Sequence, residues 1–582
     1  MKQALALLLC WLITPTAPAQ ELGSWDTPIP DFSSWWTPVR PFTPVAPGEH
    51  PRLLFRRHEL PALRQKAQTP EGRRMLQRLR YLLDGGAGTG MPKAYNAARE
   101  AYAAGGGKSI VLDSAGVFTF GHVAGYGLLY QLTGEKQYAE LGRRCFELAL
   151  QGQRDRDDRY SYVKPGGALR AGPVLGWLAV GYDLCYDGWD KPTAERLGKA
   201  LERYQAGIMQ RYGNKEVDLE ALVSGTMPPK SNHYGMQVGG AALVLLALHK
   251  EPWADQPRID RLLEGSGRSL VHQVTQGFGD GGYFAEGDGT GSMASHIVYL
   301  TAIQAWRNTL GMDFANSGRP NVGMTALKWL YLTVVRDGKP EVWPIRGGYP
   351  HNVWSRTLSG AGYFSSAFGI LPPEQQAAFK WFYNRFLLEA DTRAATPFEH
   401  SVYPQFVVNA FVNWPLDLPP RNPAEVLPLC YRDSVYGFYA WRNRWQDEND
   451  VVITTLTKPA KGYMGAKADS VLHLLAYGQH QTWGQIRSEA VGWTRSPGGE
   501  TSVVHFADGT AIGVDLSRKS GAEVLLVSTG PAEGTKVQLG RQTLTVHFLP
   551  GTSPPTVRVR GRQVWIGQQR LSLDKAGRLV FR

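Results

Sequence analysis

The sequence predicts two large domains in series: a helical domain built of hairpins, then an antiparallel β-sandwich. Three observations carry this reading. The chain has 582 residues, too many for one hydrophobic core when domains run to roughly 100–200 residues. Between about 57 and 395, apolar residues recur at spacings of three and four, the period of helices with a buried face. Beyond Pro428 the pattern changes to short β-rich runs punctuated by turn residues, as in stacked antiparallel sheets.

The elements follow in order. Lys2 gives a short positive start, and Ala4 to Ile13 is apolar but too short to span a bilayer. Ala17-Pro18-Ala19 fits a small-residue cleavage site, so residues 1–19 are expected to be a signal peptide and the protein to be secreted or periplasmic. Cys10 lies inside the apolar run without a small residue before it, which argues against lipid attachment. No later segment is long and apolar enough to cross a membrane. Residues 20–49, rich in Pro, Trp and Thr, read as an irregular arm lying on the fold.

The helical domain is expected over 50–405. It begins at His50-Pro51-Arg52-Leu53-Leu54-Phe55, followed by Glu59-Leu60-Pro61, where a proline suits the first turn of a helix. Helical runs follow at Gly121 to Leu150, Leu175 to Tyr204, Tyr234 to His249, Ile259 to Val274, His296 to Leu310 and Met324 to Val335. Helical hairpins stacked in a ring or partial ring account for them; periodicity does not distinguish that from another large helical domain. Pro415, Pro419, Pro420 and Pro423 mark a linker over 406–428. The sandwich is expected over 429–582, with strands near 435–441, 451–457, 471–477, 511–516, 523–528, 543–549, 556–559 and 564–566.

Composition narrows the partners. The chain is 43% hydrophobic and 20% charged, as globular proteins are, and carries a net charge of +12. Its pI of about 9.3 favours acidic partners: nucleic acid, an anionic membrane or an acidic polysaccharide. No Lys/Arg block, zinc-finger spacing or RNA-binding signature is present, which sets nucleic acid aside. The 18 Trp serve core packing first; a surplus also suits stacking on sugar rings. Cys145, Cys185 and Cys430 follow the leader. They make at most one disulfide and are expected as buried thiols.

Two segments carry chemistry. In Pro228-Pro229-Lys230-Ser231-Asn232-His233-Tyr234-Gly235, Ser231 or Asn232 can cap a helix. His233 then sits in the first turn, where the helix dipole disfavours the imidazolium and keeps a proton-accepting imidazole. Downstream, Gly239-Gly240-Ala241-Ala242 lets a neighbouring helix approach closely. Gly279-Asp280-Gly281-Gly282-Tyr283-Phe284-Ala285-Glu286-Gly287-Asp288-Gly289 places a phenol and two carboxylates in a glycine-rich loop. A cap with a packed His and Tyr is the plainer account of the first segment. The functional account is proton abstraction beside a carboxylate. Removing the C5 proton of a uronic acid needs a donor or cation on the carboxylate, a base at C5 and an acid at O4. Asn232 suits the first role, His233 the second and a tyrosine the third, or the second where positive charge lowers its pKa. Arg346 and Arg356 flank Tyr349, His351 and Trp354 in a loop-like stretch. An arginine there can grip a carboxylate and Trp354 can stack on a sugar. Glu286 and Asp288 also admit acid/base hydrolysis of a glycosidic bond, if they stand about 5–5.5 Å or 6.5–9.5 Å apart.

These residues resemble the heparinase II/III-like polysaccharide lyases. The likeness runs through His50 to Phe55, Gly181-Tyr182-Asp183-Leu184, Asn232-His233, Asp280-Gly281-Gly282-Tyr283 with Glu286-Gly287, Asp433 to Phe438, and Ala468-Asp469 to Gly478. It covers most of residues 48–485. The segments Asn232 to Gly239 and Arg346 to Arg356 are also similar to chondroitin-type lyases. The resemblance implies an (α/α) toroid, an antiparallel β-sandwich and β-elimination on uronate polymers.

Two departures from the family matter. No tyrosine follows Glu286-Gly287 closely, so Tyr234, Tyr283, Tyr349 or His296 must supply the missing group. Gly465-Ala466-Lys467 replaces the family's His-x-His before Asp469. No metal is expected there and no cofactor elsewhere; Lys467 instead suits an anionic sugar. The expected reading is a lyase of an acidic polysaccharide, with Asn232, His233, Tyr234, Tyr283, Tyr349 and Arg356 in the chemistry. Glu286, Asp288, His296, Arg346, His351, Trp354 and Lys467 are expected to bind substrate. A glycoside hydrolase using Glu286 and Asp288, or a glycan-binding protein without catalysis, are the alternatives.

Overall fold

The computed structural model describes residues 29, 31–95, 115–209, 215–288, 290–336, 339–347, 366–388, 403–459, 465–476, 479–483 and, with short gaps, 486–581. The expected leader lies outside the described residues. Helices α1 (Leu60–Gln68), α2 (Pro70–Asp84), α3 (Gly121–Thr133), α4 (Lys136–Leu150), α5 (Ala168–Cys185) and α6 (Lys191–Glu202) come first. They are followed by α7 (Leu219–Ser224), α8 (Asn232–Leu248), α9 (Gln256–His272), α10 (Thr290–Leu310), α11 (Asn321–Leu332), α12 (Pro373–Phe382) and α13 (Pro404–Asn413). Among the described residues no helix is long and apolar enough to cross a membrane.

Five of these helices, α3, α5, α8, α10 and α13, close a ring. Helices α5 and α8 meet backbone to backbone, because a Cβ on Gly240 would stand 1.9 Å from the Gly172 carbonyl oxygen. Gly239 gives α10 the same access at Tyr299, so the small residues after His233 do act as a helix contact. Closure comes through polar pairs. The Gln304 side chain of α10 donates to Asn413 of α13 at 2.8 Å, and Asn409 donates to Thr301 at 3.0 Å. Helix α13 then reaches α3 through Pro404 and Gln405, which touch Gly125 and Gly121. These inner helices are apolar on nearly every face, as buried helices must be: all of α8 except His233 is buried. The outer helices α4 and α9 are amphipathic and cover the ring from outside.

The opening motif holds the ring's rim. His50 bridges Asp183 at 2.6 Å and Glu251 at 2.9 Å, all fully buried, and Arg52 pairs with Glu251 at 2.7 Å. The Asp183 carboxylate also accepts the backbone N–H groups of Arg52 and Leu53. The arm over 31–49 lies on the fold, with Trp35 buried and Thr37–Pro38 paired to Met312–Asp313.

Helical structure runs past the expected limit at 405, since α13 occupies 404–413. Proline punctuates a helix interior but is at home at its first position, where no N–H is required. Two lysines tie down the chain that leaves α13. Lys66 donates to the Val412 and Trp414 carbonyls, and Lys380 to those of Pro415, Leu416 and Leu418.

Five strands then form an antiparallel meander: β1 (Cys430–Asp433), β2 (Phe438–Arg442), β3 (Val452–Leu456), β4 (Leu472–Ala476) and β5 (Gln479–Trp483). A six-stranded sheet follows: β6 (Ala490–Arg495), β7 (Thr501–Phe506), β8 (Ala511–Asp515), β9 (Glu523–Thr529), β10 (Gly534–Leu539) and β11 (Gln542–Leu549). The two sheets face each other through Trp441 and Trp493, 6.0 Å apart, and through the Trp441 indole N–H on Ser502. One pair departs from the antiparallel expectation, for β9 and β11 run parallel. Alternation along a strand fixes its faces and not its direction. Val335, expected to end a helix, stands in a hairpin of Thr333–Arg336 with Lys339–Val342. Cys145, Cys185 and Cys430 are buried free thiols.

Candidate functional site

The start of α8 and the glycine-rich loop before α10 meet. Ser231 is the N-cap, its hydroxyl accepting the His233 N–H at 3.2 Å. The next free donor, the Asn232 backbone N–H, goes to the Glu286 carboxylate at 3.2 Å. Asn232 and Glu286 are buried, and His233 is partly exposed beside them. Burial pushes the Glu286 carboxyl up to about 7, and the backbone and side chain of Asn232 pull the other way. Its Oε2 has no hydrogen-bond partner among the described residues. The start of α8, Asn232 and a carboxyl whose ionisation burial disfavours thus share one spot, with His233 next along the helix.

The loop reaches that spot through a tight hairpin. Phe278 bridges Phe284, and Gly279 and Gly282 close a turn with Gly282 at φ +74°. Gly287 has φ +95°, and a Cβ there would lie 1.7 Å from the Arg346 carbonyl oxygen, so only glycine fits. This turns alternate residues to opposite sides. Glu286 faces α8. Tyr283 and Asp288 face the β domain.

That second side is a buried polar latch. The Tyr283 hydroxyl donates to Asp288 at 2.8 Å, and its ring stacks on Phe438 at 4.5 Å. The Arg346 backbone N–H donates to Asp288 at 3.3 Å, and its guanidinium lies 3.6 Å from the same carboxylate. Arg346 also grips Asp469 at 2.9 Å and Thr454 at 2.9 Å. The Asp433 carboxylate accepts the N–H groups of Gly281, Tyr283 and Tyr436, while Asp280 accepts that of Ser434 in return. Burial pushes the Asp433 carboxyl up to about 7 and the Asp288 carboxyl to about 6, the latter against the pull of Arg346. Lys328 completes the cluster. It is fully buried over the faces of Phe278 and Trp329, and burial lowers its ammonium to about 7 against Asp288 and Asp433.

The expected site residues therefore separate. Asn232, His233 and Glu286 come together. Tyr234, on the opposite side of α8, is buried against Gly225 with its phenol pushed up by burial. Tyr283, Asp288 and Arg346 are enclosed in the latch with one another and with Asp469. Glu286 accepts the Asn232 N–H, whereas Asp288 accepts the Tyr283 hydroxyl and the Arg346 N–H, so the two carboxyls keep different partners. Lys467 is exposed beside Asp469. Tyr349, His351, Trp354 and Arg356 lie outside the described residues, as does the side chain of His296, whose backbone belongs to α10. No cluster of three His, Cys, Asp or Glu with metal-ligand spacing occurs among the described residues. Sequence reasoning missed Lys328, which a helical period marks only as one polar residue inside an apolar face.

No family model matches the chain, and no curated protein matches it. Among solved structures it is similar to a heparan sulfate lyase HepC mutant from Pedobacter heparinus. That match has 12% identity and a TM-score of 0.36, over 67% of this chain and 58% of that one. It is also similar to heparinase III, the BT4657 gene product, with 8% identity and a TM-score of 0.35, over 68% and 61%. A chondroitin AC lyase of Streptomyces coelicolor A3, in complex with chondroitin sulphate, matches with 11% identity and a TM-score of 0.32, over 89% and 76%. The chain spans less than two thirds of the first two structures' length.

Proposed function

We propose that the protein is a lyase that cleaves a uronate-containing polysaccharide by β-elimination. One observation carries the reading: Asn232 and His233 open an inner helix of the ring with Glu286 holding the asparagine. The uronate carboxylate sits at the N-terminus of α8, where the helix dipole and the Asn232 amide stabilise negative charge. Glu286 fixes Asn232 by accepting its backbone N–H. His233 removes the C5 proton. The C5 electron pair forms the C4–C5 double bond as the C4–O4 bond breaks, and O4 takes a proton from an acid. Tyr234 and Tyr283 are buried away from this spot, with phenols raised by burial. The acid role therefore falls to Tyr349 or His296, and carboxylate binding is shared with Arg356. The basic surface and the expected export of the chain fit a large anionic substrate met outside the cell.

The test incubates the purified protein with glycosaminoglycan, alginate and other uronate polymers. Each cut should give the ultraviolet absorbance of an unsaturated uronate and one new reducing end. New reducing ends without that absorbance would replace the lyase with a hydrolase.

A further inference from the structure

Two motifs take no part in the reaction above: Asp280-Gly281-Gly282-Tyr283 and the stretch from Asp433 to Phe438. They grip each other across the domain boundary. The Asp433 carboxylate, fully buried at the end of β1, accepts the Gly281 N–H at 3.0 Å and the Tyr283 N–H at 2.9 Å. In return the Asp280 carboxylate accepts the Ser434 N–H at 2.7 Å and the Ser434 hydroxyl at 2.6 Å. The Tyr431 hydroxyl donates to the Gly281 carbonyl. The two backbones approach too closely for side chains on the loop. A Cβ on Gly279 would stand 2.0 Å from the Asp433 carboxylate, and one on Gly281 would stand 2.1 Å from the Arg432 carbonyl oxygen. These glycines therefore admit β1.

What β1 holds is the tip of a hairpin whose other end lies at the start of α8. The Gly279 N–H donates to the Tyr283 carbonyl at 3.0 Å, and the Ala285 N–H to the Gly277 carbonyl at 2.8 Å. Gly277 rests on the segment before α8, where a Cβ would lie 2.2 Å from the Pro229 carbonyl oxygen. Glu286 comes next after Ala285 and accepts the Asn232 N–H at 3.2 Å. Only Phe284 and Ala285, both fully buried, separate Tyr283, bonded to Asp433, from Glu286, bonded to Asn232. Close-packed, internally bonded backbone transmits a displacement instead of absorbing it. The end of β1 and the start of α8 are therefore the two ends of one short strut.

We propose that Asp433 is a positioning residue: through the end of β1, the β domain aims Glu286 at Asn232 and so sets the site at the start of α8. The effect on rate rests on the lyase reading; the link from Asp433 to Asn232 does not. Hydrogen exchange of the full-length protein, read at single amides by mass spectrometry, follows the Asn232 N–H. Asp433→Asn keeps the side chain's size but turns an NH2 group toward one set of its N–H donors. The Asn232 N–H should then exchange about tenfold faster or more, as a locally loosened amide does, while the amides of α3 keep their rates. On the cleaved polymer, kcat should fall about 10–10²-fold with little change in KM, the pattern of a misaimed group. Trp441→Phe is the control for a weakened β domain, since it loses the bond to Ser502 between the two sheets. It should lower the melting temperature and leave Asn232 exchange unchanged. Asp280 is partly exposed, so Asp280→Ala, which deletes the return grip, tests the link even if Asp433→Asn does not fold. Unchanged Asn232 exchange in whichever of the two folds overturns the proposal, and so does an equal acceleration in α3 or in Trp441→Phe. Faster Asn232 exchange in a protein whose wild type gives no unsaturated product overturns the lyase reading and leaves the link standing.

Discussion

The two sides of the loop before α10 are built from the same residue types and do different things. On the side of the β domain, Tyr283, Asp288, Arg346, Asp469 and Asp433 are enclosed and bonded to one another. On the side of α8, Glu286 keeps one buried oxygen without a partner among the described residues, and His233 is partly exposed. On the latch side Asp288 Oδ2 and Lys328 Nζ also lack a hydrogen-bond partner among the described residues, but each faces opposite charge: Asp288 faces Arg346 at 3.6 Å, and Lys328 faces Asp288 and Asp433. A buried network whose charges face one another holds domains together. A buried carboxyl that only an amide and a backbone N–H oppose, next to a partly exposed histidine, leaves room for a ligand. Carboxylates in a glycine-rich loop therefore do not identify a site by type; whether a cation already faces them does.

The two sides of the loop differ most at His233. On the α8 side, His233→Ala should lower kcat/KM for the cleaved polymer by about 10²–10⁴-fold, the range of a lost general base, with the melting temperature unchanged. A melting temperature that falls with activity intact would move His233 to the structural side. On the other side, Arg346→Ala should cost about 3–5 kcal/mol in denaturant unfolding, because it leaves the buried carboxylates of Asp288 and Asp469 without their cation. Loss of activity without loss of stability there would make Arg346 a substrate ligand after all.

Lys328 sharpens the same contrast through pH. It faces Asp288 and Asp433, whose carboxyls sit at about 6 and 7 against a usual 3.8. A carboxyl raised in the folded state contributes its stability below its unfolded pKa and loses it as pH rises through the folded one. Lys328 is itself lowered from 10.5 to about 7, so near pH 4 it is a buried ammonium facing two neutral carboxyls. Lys328→Met removes that charge and also removes the cation that favours the carboxylate forms. The variant should therefore be more stable than the wild type near pH 4 and lose that advantage progressively toward pH 8, as the carboxyls ionise. A constant difference between the two stability curves across that range would show that Lys328 does not interact with the two carboxyls.

Much of this architecture is legible in the residues, and the exceptions have physical causes. Period-3.6 runs located α3 to α6 and α8 to α10 but not the six-residue α7, and β-rich runs located β2, β3, β4, β8, β9 and β11, because burial imposes those periods. The hairpin of Gln205–Met209 with Lys215–Asp218 escaped notice because strands of four or five residues carry too few repeats. Tyr234 was separable from Asn232 in advance, since two residues along a helix turn the side chain by about 200°. The Tyr283, Glu286 and Asp288 split was not. It depends on positive φ at Gly282 and Gly287, and a loop has no period from which facing can be read.

The mildest test is Tyr283→Phe. It deletes only the hydroxyl that donates to Asp288 at 2.8 Å and keeps the ring stacked on Phe438. The lost partner leaves a buried carboxyl short of one donor, a cost of about 1–3 kcal/mol. Asp288 keeps the Arg346 backbone N–H and the nearby guanidinium, which places the effect toward the lower end. Activity per folded molecule should be unchanged, because the hydroxyl is enclosed on the far side of the loop from His233. A variant of normal stability that no longer cleaves would put the phenol on the reacting O4. The loop would then have to turn over in the substrate complex, and the division between its two sides would fail.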